Sequence, residues 1–170
     1  GQKIGDMARG IGPSIYPADY THAHLRVRRH VLPADIAAAQ EFSVHDELAR
    51  LLVDKTERLV VGNPVDRATF LGPVIDQHAV DRHQQAVAEA RRDGTVFTGG
   101  HRLAEGDLAR GTYVEPTVVG LPVTHRLFHD ELFSPFTAVA AVDSLDEAIA
   151  LTNDNIYGLT AGVYSEDPAE

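Results

Sequence analysis

From Ser43 onward the apolar positions recur with readable periods, and before it they do not. Val44, Leu48, Leu51, Leu52 and Leu59 return at helical spacing. Asp46 and Glu47 fall in the first turn, where the positive end of the helix dipole favours carboxylates. The pattern predicts an amphipathic helix over 44–59 with Ser43 as its N-cap. A second helix is expected over 77–93, with Val80, Ala86, Val87 and Ala90 on the buried stripe and Gly94 closing it after a basic last turn. His45, His78 and His83 are read as solvated helix surface, the first two in first turns. Between the helices, "VGNPVDRATFLGP" is a connection full of turn residues.

The remaining segments favour strands. "TVFTGG" reads as a short strand closed by paired glycines, and "GTYVEPTVVG" as two extended pieces joined at Pro116. "FTAVAAVD" is a near-continuous apolar run suited to a strand covered on both faces. Ser144 then caps a helix, "SLDEAIALTND", with Glu147 completing a capping box. "YGLTAGVYS" is expected to be another buried strand, and "HLRVRRHVL" an earlier one with Leu25 and Val27 on one face. Strands alternating with helices predict an α/β fold: three layers, with a mostly parallel sheet and crossover helices. Residues 1–42, with two prolines in "GIGPSIYPADY", form a divergent, irregular segment, and residues 43–170 form one domain.

Composition narrows the functions available. In 170 residues the longest apolar runs fall well short of the roughly 20 needed to span a bilayer, so no membrane role is expected. A formal charge of −10 argues against a nucleic-acid partner, which needs clustered positive charge, and the one basic knot, "RVRRH", is read as solvated surface. Cysteine is absent, which excludes disulfides, thiolate metal sites and a thiol nucleophile, and suits a cytoplasmic chain. The start, "GQKIGDMARG", carries no secretory pattern and no initiator Met, so the chain is expected to begin inside a longer sequence or after processing.

Few residues offer chemistry. His22 and His24 lie two apart near Asp19 and would need two more converging ligands to hold a metal; no supporting spacing exists, and the expectation is no metal site. The glycines of "GPVID" and "TVFTGG" lack the spacing of a phosphate cradle. In "HDELFSPF", Glu131 and Phe133 alternate, so in an extended segment they point the same way. A carboxylate beside an aromatic face could accept ribose hydroxyls and bracket a nicotinamide. A charged helix end followed by a packed apolar residue would give the same string.

Several segments in order change that balance. "VGNP", "LGPVID", "TGG", "GTYVEPTVV", "DELFSPF" and "LDEAIALTNDNIYGLTAGVYS" together resemble the C-terminal part of the catalytic domain of the aldehyde dehydrogenase superfamily, over roughly three quarters of the chain. Pro116 and Thr117 match the family's "PT", and Asn153, Tyr157, Gly158 and Leu159 its "N-x-x-x-Y-G-L". "TFLGPVID" and "YGLTAGVYS" are most similar to the branch that oxidises glutamate semialdehyde, the open form of 1-pyrroline-5-carboxylate, in proline breakdown.

The resemblance implies that Glu131 binds the nicotinamide-side ribose of NAD or NADP and that Phe133 lies by the nicotinamide. Ser134 stands where the family usually has Gly, adding a side chain where backbone freedom is needed. "GQKI" resembles the family's "GQ-x-C", but Ile4 occupies the position of the nucleophilic Cys, so no catalytic residue is assigned. The implied parent reaction oxidises an aldehyde to a carboxylic acid through a thiohemiacetal, a hydride acceptor and a Glu base that activates water. With no thiol, and with the family's NAD domain lying upstream, the chain is expected to be an inactive fragment or truncated relative that binds the cofactor weakly by itself. The alternative is a non-catalytic interaction or oligomerisation module. Exposed edges make a homo-oligomer, or association with the missing segments, the expected state.

Overall fold

A computed structural model of the chain describes residues 24–27, 44–158, 161–162 and 164. Its elements are strand β1 (His24–Val27), helix α1 (Val44–Thr56), helix α2 (Gln77–Asp93), strands β2 (Thr95–Thr98), β3 (Thr117–Gly120) and β4 (Phe136–Val142), and helix α3 (Leu145–Asn153), with 3-10 turns at Gly106–Arg110 and Arg126–Phe128. The sheet order is β1-β4-β3-β2. β4 lies between two parallel neighbours, with Thr117 opposite Phe136 on one side and His24 opposite Val139 on the other. β2 is antiparallel to β3 and bulges between Val96 and Thr98, so the sheet is mostly, not wholly, parallel.

Alternation along the strands places two layers of helix on the sheet. Val119, Phe136, Ala138 and Ala140 form one cluster with Ala86, Val87 and Ala90 of α2, closed off by Leu121, Leu127, Phe128 and Leu132. Val118 and Val139 point to the opposite face and are also buried. α1 packs there along β2, β3 and β4. Fully burying one Val or Phe of this kind contributes about 1.5–3 kcal/mol.

Both expected helices are present: the α2 stripe is buried, whereas in α1 Leu48, Leu51 and Leu52 are half-buried and Ala49 is the buried residue. α2 starts at Asp76, whose side chain accepts from the Ala79 N–H at 2.8 Å, and ends at Gly94, whose N–H donates to the Ala90 carbonyl. α1 stops at Thr56, short of Leu59. At α3, Ser144 Oγ accepts from the Glu147 N–H at 3.1 Å, but the Glu147 carboxylate reaches back to the Asp143 N–H at 2.8 Å, one residue before the usual capping-box partner.

Two expectations are corrected. His83 is fully buried, not solvated, because it falls on the same helical stripe as Ala79, Ala86 and Ala90. The described residues of "YGLTAGVYS" (Tyr157, Gly158, Ala161, Gly162 and Tyr164) are exposed and belong to no strand, since none of the described edges pairs with them. Residues 1–23 and 28–43, which include Ile4, His22 and the Ser43 cap, lie outside the described residues, as do the side chains of β1.

Candidate functional site

The β3–β4 crossover delivers Glu131 and Phe133, and its conformation is set from both ends. His125 caps the 3-10 turn, its Nδ1 accepting from the Leu127 N–H at 3.2 Å. That leaves Nε2 of the ring as the donor toward Asp93 at the end of α2, 3.2 Å away. Asp93 is also bonded by Arg92, and the Arg92 and His125 bonds hold its carboxyl below the usual range. Leu127 and Phe128 then insert into the core, and Asn155 Nδ2 donates to the Phe128 carbonyl at 3.2 Å, drawing the segment after α3 alongside. His129 donates from Nδ1 to the Asp154 carbonyl at 3.1 Å, and Asp130 pairs with Arg126.

At the far end, the Ser134 carbonyl accepts from the Phe136 N–H at 2.7 Å, closing a tight turn over Pro135, whose fixed φ suits it. The Pro135 carbonyl accepts from the Thr117 N–H at 2.9 Å, the first rung between β3 and β4.

Between these anchors the side chains alternate. Leu132 and Ser134 are buried, whereas Glu131 is exposed and Phe133 is 51% exposed. Phe133 has φ +50°, a left-handed conformation that costs a non-glycine residue roughly 1–2 kcal/mol. The strained backbone therefore sits at Phe133, and not at Ser134, where the missing glycine was expected to matter. The Ser134 side chain is used: its Oγ lies 2.6 Å from Nδ1 of His83. The other ring nitrogen of His83 lies 3.3 Å from Thr117 Oγ1, and the ring meets Phe136 edge-on at a centroid distance of 6.1 Å. Burial pushes the His83 imidazole down to about 4, with Glu115 opposing, so it is neutral near pH 7.

Glu131 borders a shallow groove of about 460 Å³ between α2 and the crossover, with Arg82, Gln85, Leu132 and Tyr157 on its other walls. The guanidinium of Arg126 is committed to Glu89 and Asp130. The Arg126 bonds hold the Glu89 carboxyl below its usual range. Glu131, by contrast, makes no hydrogen bond or ion pair among the described residues, so its oxygens can accept from a diol. An exposed acceptor and a half-exposed aromatic ring thus lie two residues apart on one loop. Among the described residues, no three or more His, Asp or Glu side chains are placed to hold a metal ion, and no helix is long and apolar enough to cross a membrane.

Sequence reasoning put Glu131 and Phe133 on one side of an extended segment; in the structure both side chains are exposed, but the left-handed Phe133 interrupts the extended backbone. It missed His83, whose i−4, i+3 and i+7 relation to Ala79, Ala86 and Ala90 was the available signal.

The aldehyde dehydrogenase family description matches residues 39–170. A 1-pyrroline-5-carboxylate dehydrogenase of Geobacillus kaustophilus is 36% identical over 127 residues, 74% of this chain and 24% of that protein. A 3,6-anhydro-alpha-L-galactose dehydrogenase of a Vibrio strain is 34% identical over 119 residues, 69% of this chain and 25% of that protein. Among solved structures, a Thermus 1-pyrroline-5-carboxylate dehydrogenase with bound NAD superposes with a TM-score of 0.65 at 32% identity, over 74% of this chain and 23% of that one. A betaine aldehyde dehydrogenase from Staphylococcus aureus in complex with NAD+ gives 0.68 at 32% identity, over 73% and 26%. The chain thus spans about a quarter of the length of the relatives it matches.

Proposed function

Because the chain belongs to the aldehyde dehydrogenase family, we propose that it supplies the nicotinamide-ribose edge of the cofactor site for an NAD(P)-linked aldehyde oxidation, with glutamate semialdehyde as the aldehyde. The observation that carries this reading is the crossover loop, which buries Leu132 and Ser134 and presents Glu131 and Phe133 outward together. Glu131 accepts the ribose hydroxyls and thereby orients the ring they carry. Phe133 covers one side of the nicotinamide and excludes water there. When bound, the dinucleotide supplies the hydride acceptor. The identity to 1-pyrroline-5-carboxylate dehydrogenases supports the choice of aldehyde, and with it a place in proline breakdown in the cytoplasm.

The nucleophile is a different matter. The 170 residues contain no cysteine, so this chain brings no thiol to form a thiohemiacetal. Loss of a nucleophile typically removes several powers of ten in rate, on the scale of roughly 10⁶ for triad knockouts. Incubated with glutamate semialdehyde and NAD, the purified chain is expected to give no NADH above background; steady cysteine-independent turnover would contradict the proposal.

A second reading, an interaction or oligomerisation module, is favoured by the α1–α2 connection, where Val65 and Ile75 are 86% and 88% exposed and Phe70 is half exposed. On that reading the chain self-associates. A monomer in sedimentation equilibrium at high concentration would exclude it.

A further inference from the structure

Hydrogen-bond bookkeeping fixes the proton on His83. Thr117 Oγ1 donates its only proton to the Glu115 carbonyl, 2.9 Å away. Toward the His83 Nε2 it can then only accept, so Nε2 carries the ring proton. Nδ1 of the neutral ring is left as an acceptor, and the Ser134 hydroxyl, at 2.6 Å, must donate to it. The chain of donors runs Ser134 to His83 to Thr117 to the Glu115 carbonyl, entirely in the interior: His83, Ser134 and Thr117 are 0%, 4% and 2% exposed. No buried polar side-chain atom among the described residues is left without a partner. This is not an acyl-transfer dyad, because the serine is enclosed and its hydroxyl faces no open groove.

We infer that His83 is a positioning residue: through the Ser134 hydroxyl it fixes the left-handed Phe133 backbone, so that Glu131 and Phe133 stay turned outward. A strained backbone such as that of Phe133 persists where its surroundings over-determine it, and Ser134 is the next residue along the chain. Leu132 anchors the loop from the other side by burial, but a side chain in an apolar cluster does not set the direction of its neighbour's backbone. Besides the backbone bonds at Ser134 and Pro135, the side-chain contact that ties the loop to a rigid helix is the 2.6 Å bond to His83, 51 positions away in sequence. Its value for cofactor contact rests on the function proposed above; the hold itself does not.

The test uses the intact chain without any ligand. Long-range ¹H–¹⁵N spectra at pH 7 should show His83 as the Nε2–H tautomer, and Ser134→Ala should raise amide hydrogen exchange across 130–134 roughly tenfold while leaving the α2 amides unchanged. An Nδ1–H tautomer in the unsubstituted chain would overturn the inference. So would unchanged loop exchange in S134A, or a rise shared equally by α2 and β3. Because none of these readouts involves a dinucleotide, failure of the cofactor reading leaves them intact, and failure here leaves the Glu131 contact to be judged separately.

Discussion

Arg126 holds Glu89 with two parallel bonds, Nε to Oε2 at 2.8 Å and Nη2 to Oε1 at 2.6 Å, tying the crossover to the flank of α2. The same guanidinium reaches Asp130, so one side chain sets the distance between the helix and the start of the loop that bears Glu131.

Because Arg126 is about half exposed, solvent screens this pair even though its geometry is bidentate. Arg126→Ala should lower unfolding stability by about 0.5–1 kcal/mol in low salt, with most of the effect gone at high ionic strength. Urea titrations at two salt concentrations measure it.

His83 makes stability depend on pH. Its pKa in the fold, about 4, lies below the 6.5 of an unfolded histidine, so between those values the unfolded chain binds more protons. The contribution is complete above pH 6.5 and is lost as pH falls toward 4. By the linkage constant of 1.36 kcal/mol per unit, the loss is about 3 kcal/mol. In His83→Gln, which keeps polar atoms but does not titrate, the slope of stability against pH over this window should flatten.

Gly99 turns the chain out of β2 at φ +79°, and a Cβ there would lie 2.1 Å from the Pro116 carbonyl oxygen. Backbone cannot yield as a flexible side chain would. Gly99→Ala should therefore cost more than the roughly 1 kcal/mol typical of a left-handed alanine alone, with loss of the β2–β3 ladder visible in amide exchange.

How far the sequence reaches is visible in particular residues. The α2 stripe and the β4 run were legible because burial imposes one period on each, and Ser144 because N-caps are chemically distinctive. Period-two alternation anticipated the burial pattern of 131–134, with Glu131 and Phe133 exposed and Leu132 and Ser134 buried. The position of His83 on the alanine stripe marked it as core, but its hydrogen bonds were not legible, since its partners are 34 and 51 positions away. The left-handed Phe133 could not be read either: phenylalanine does not signal that conformation, and Ser134 drew attention one residue too far. The antiparallel β2 follows from the short Gly99–Gly100 turn and the return through Val114, a long-range pairing that local pattern does not encode.

Saturation-transfer difference NMR with NADH, run on the intact chain and on Glu131→Gln, tests the central claim most directly. The account predicts weak binding, with a Kd on the order of 1 mM. Transfer should be strongest to the nicotinamide and its ribose, little should reach the adenine, and the ribose signal should collapse in E131Q. Equal transfer to both ends of NADH, or an unchanged ribose signal in E131Q, would contradict it.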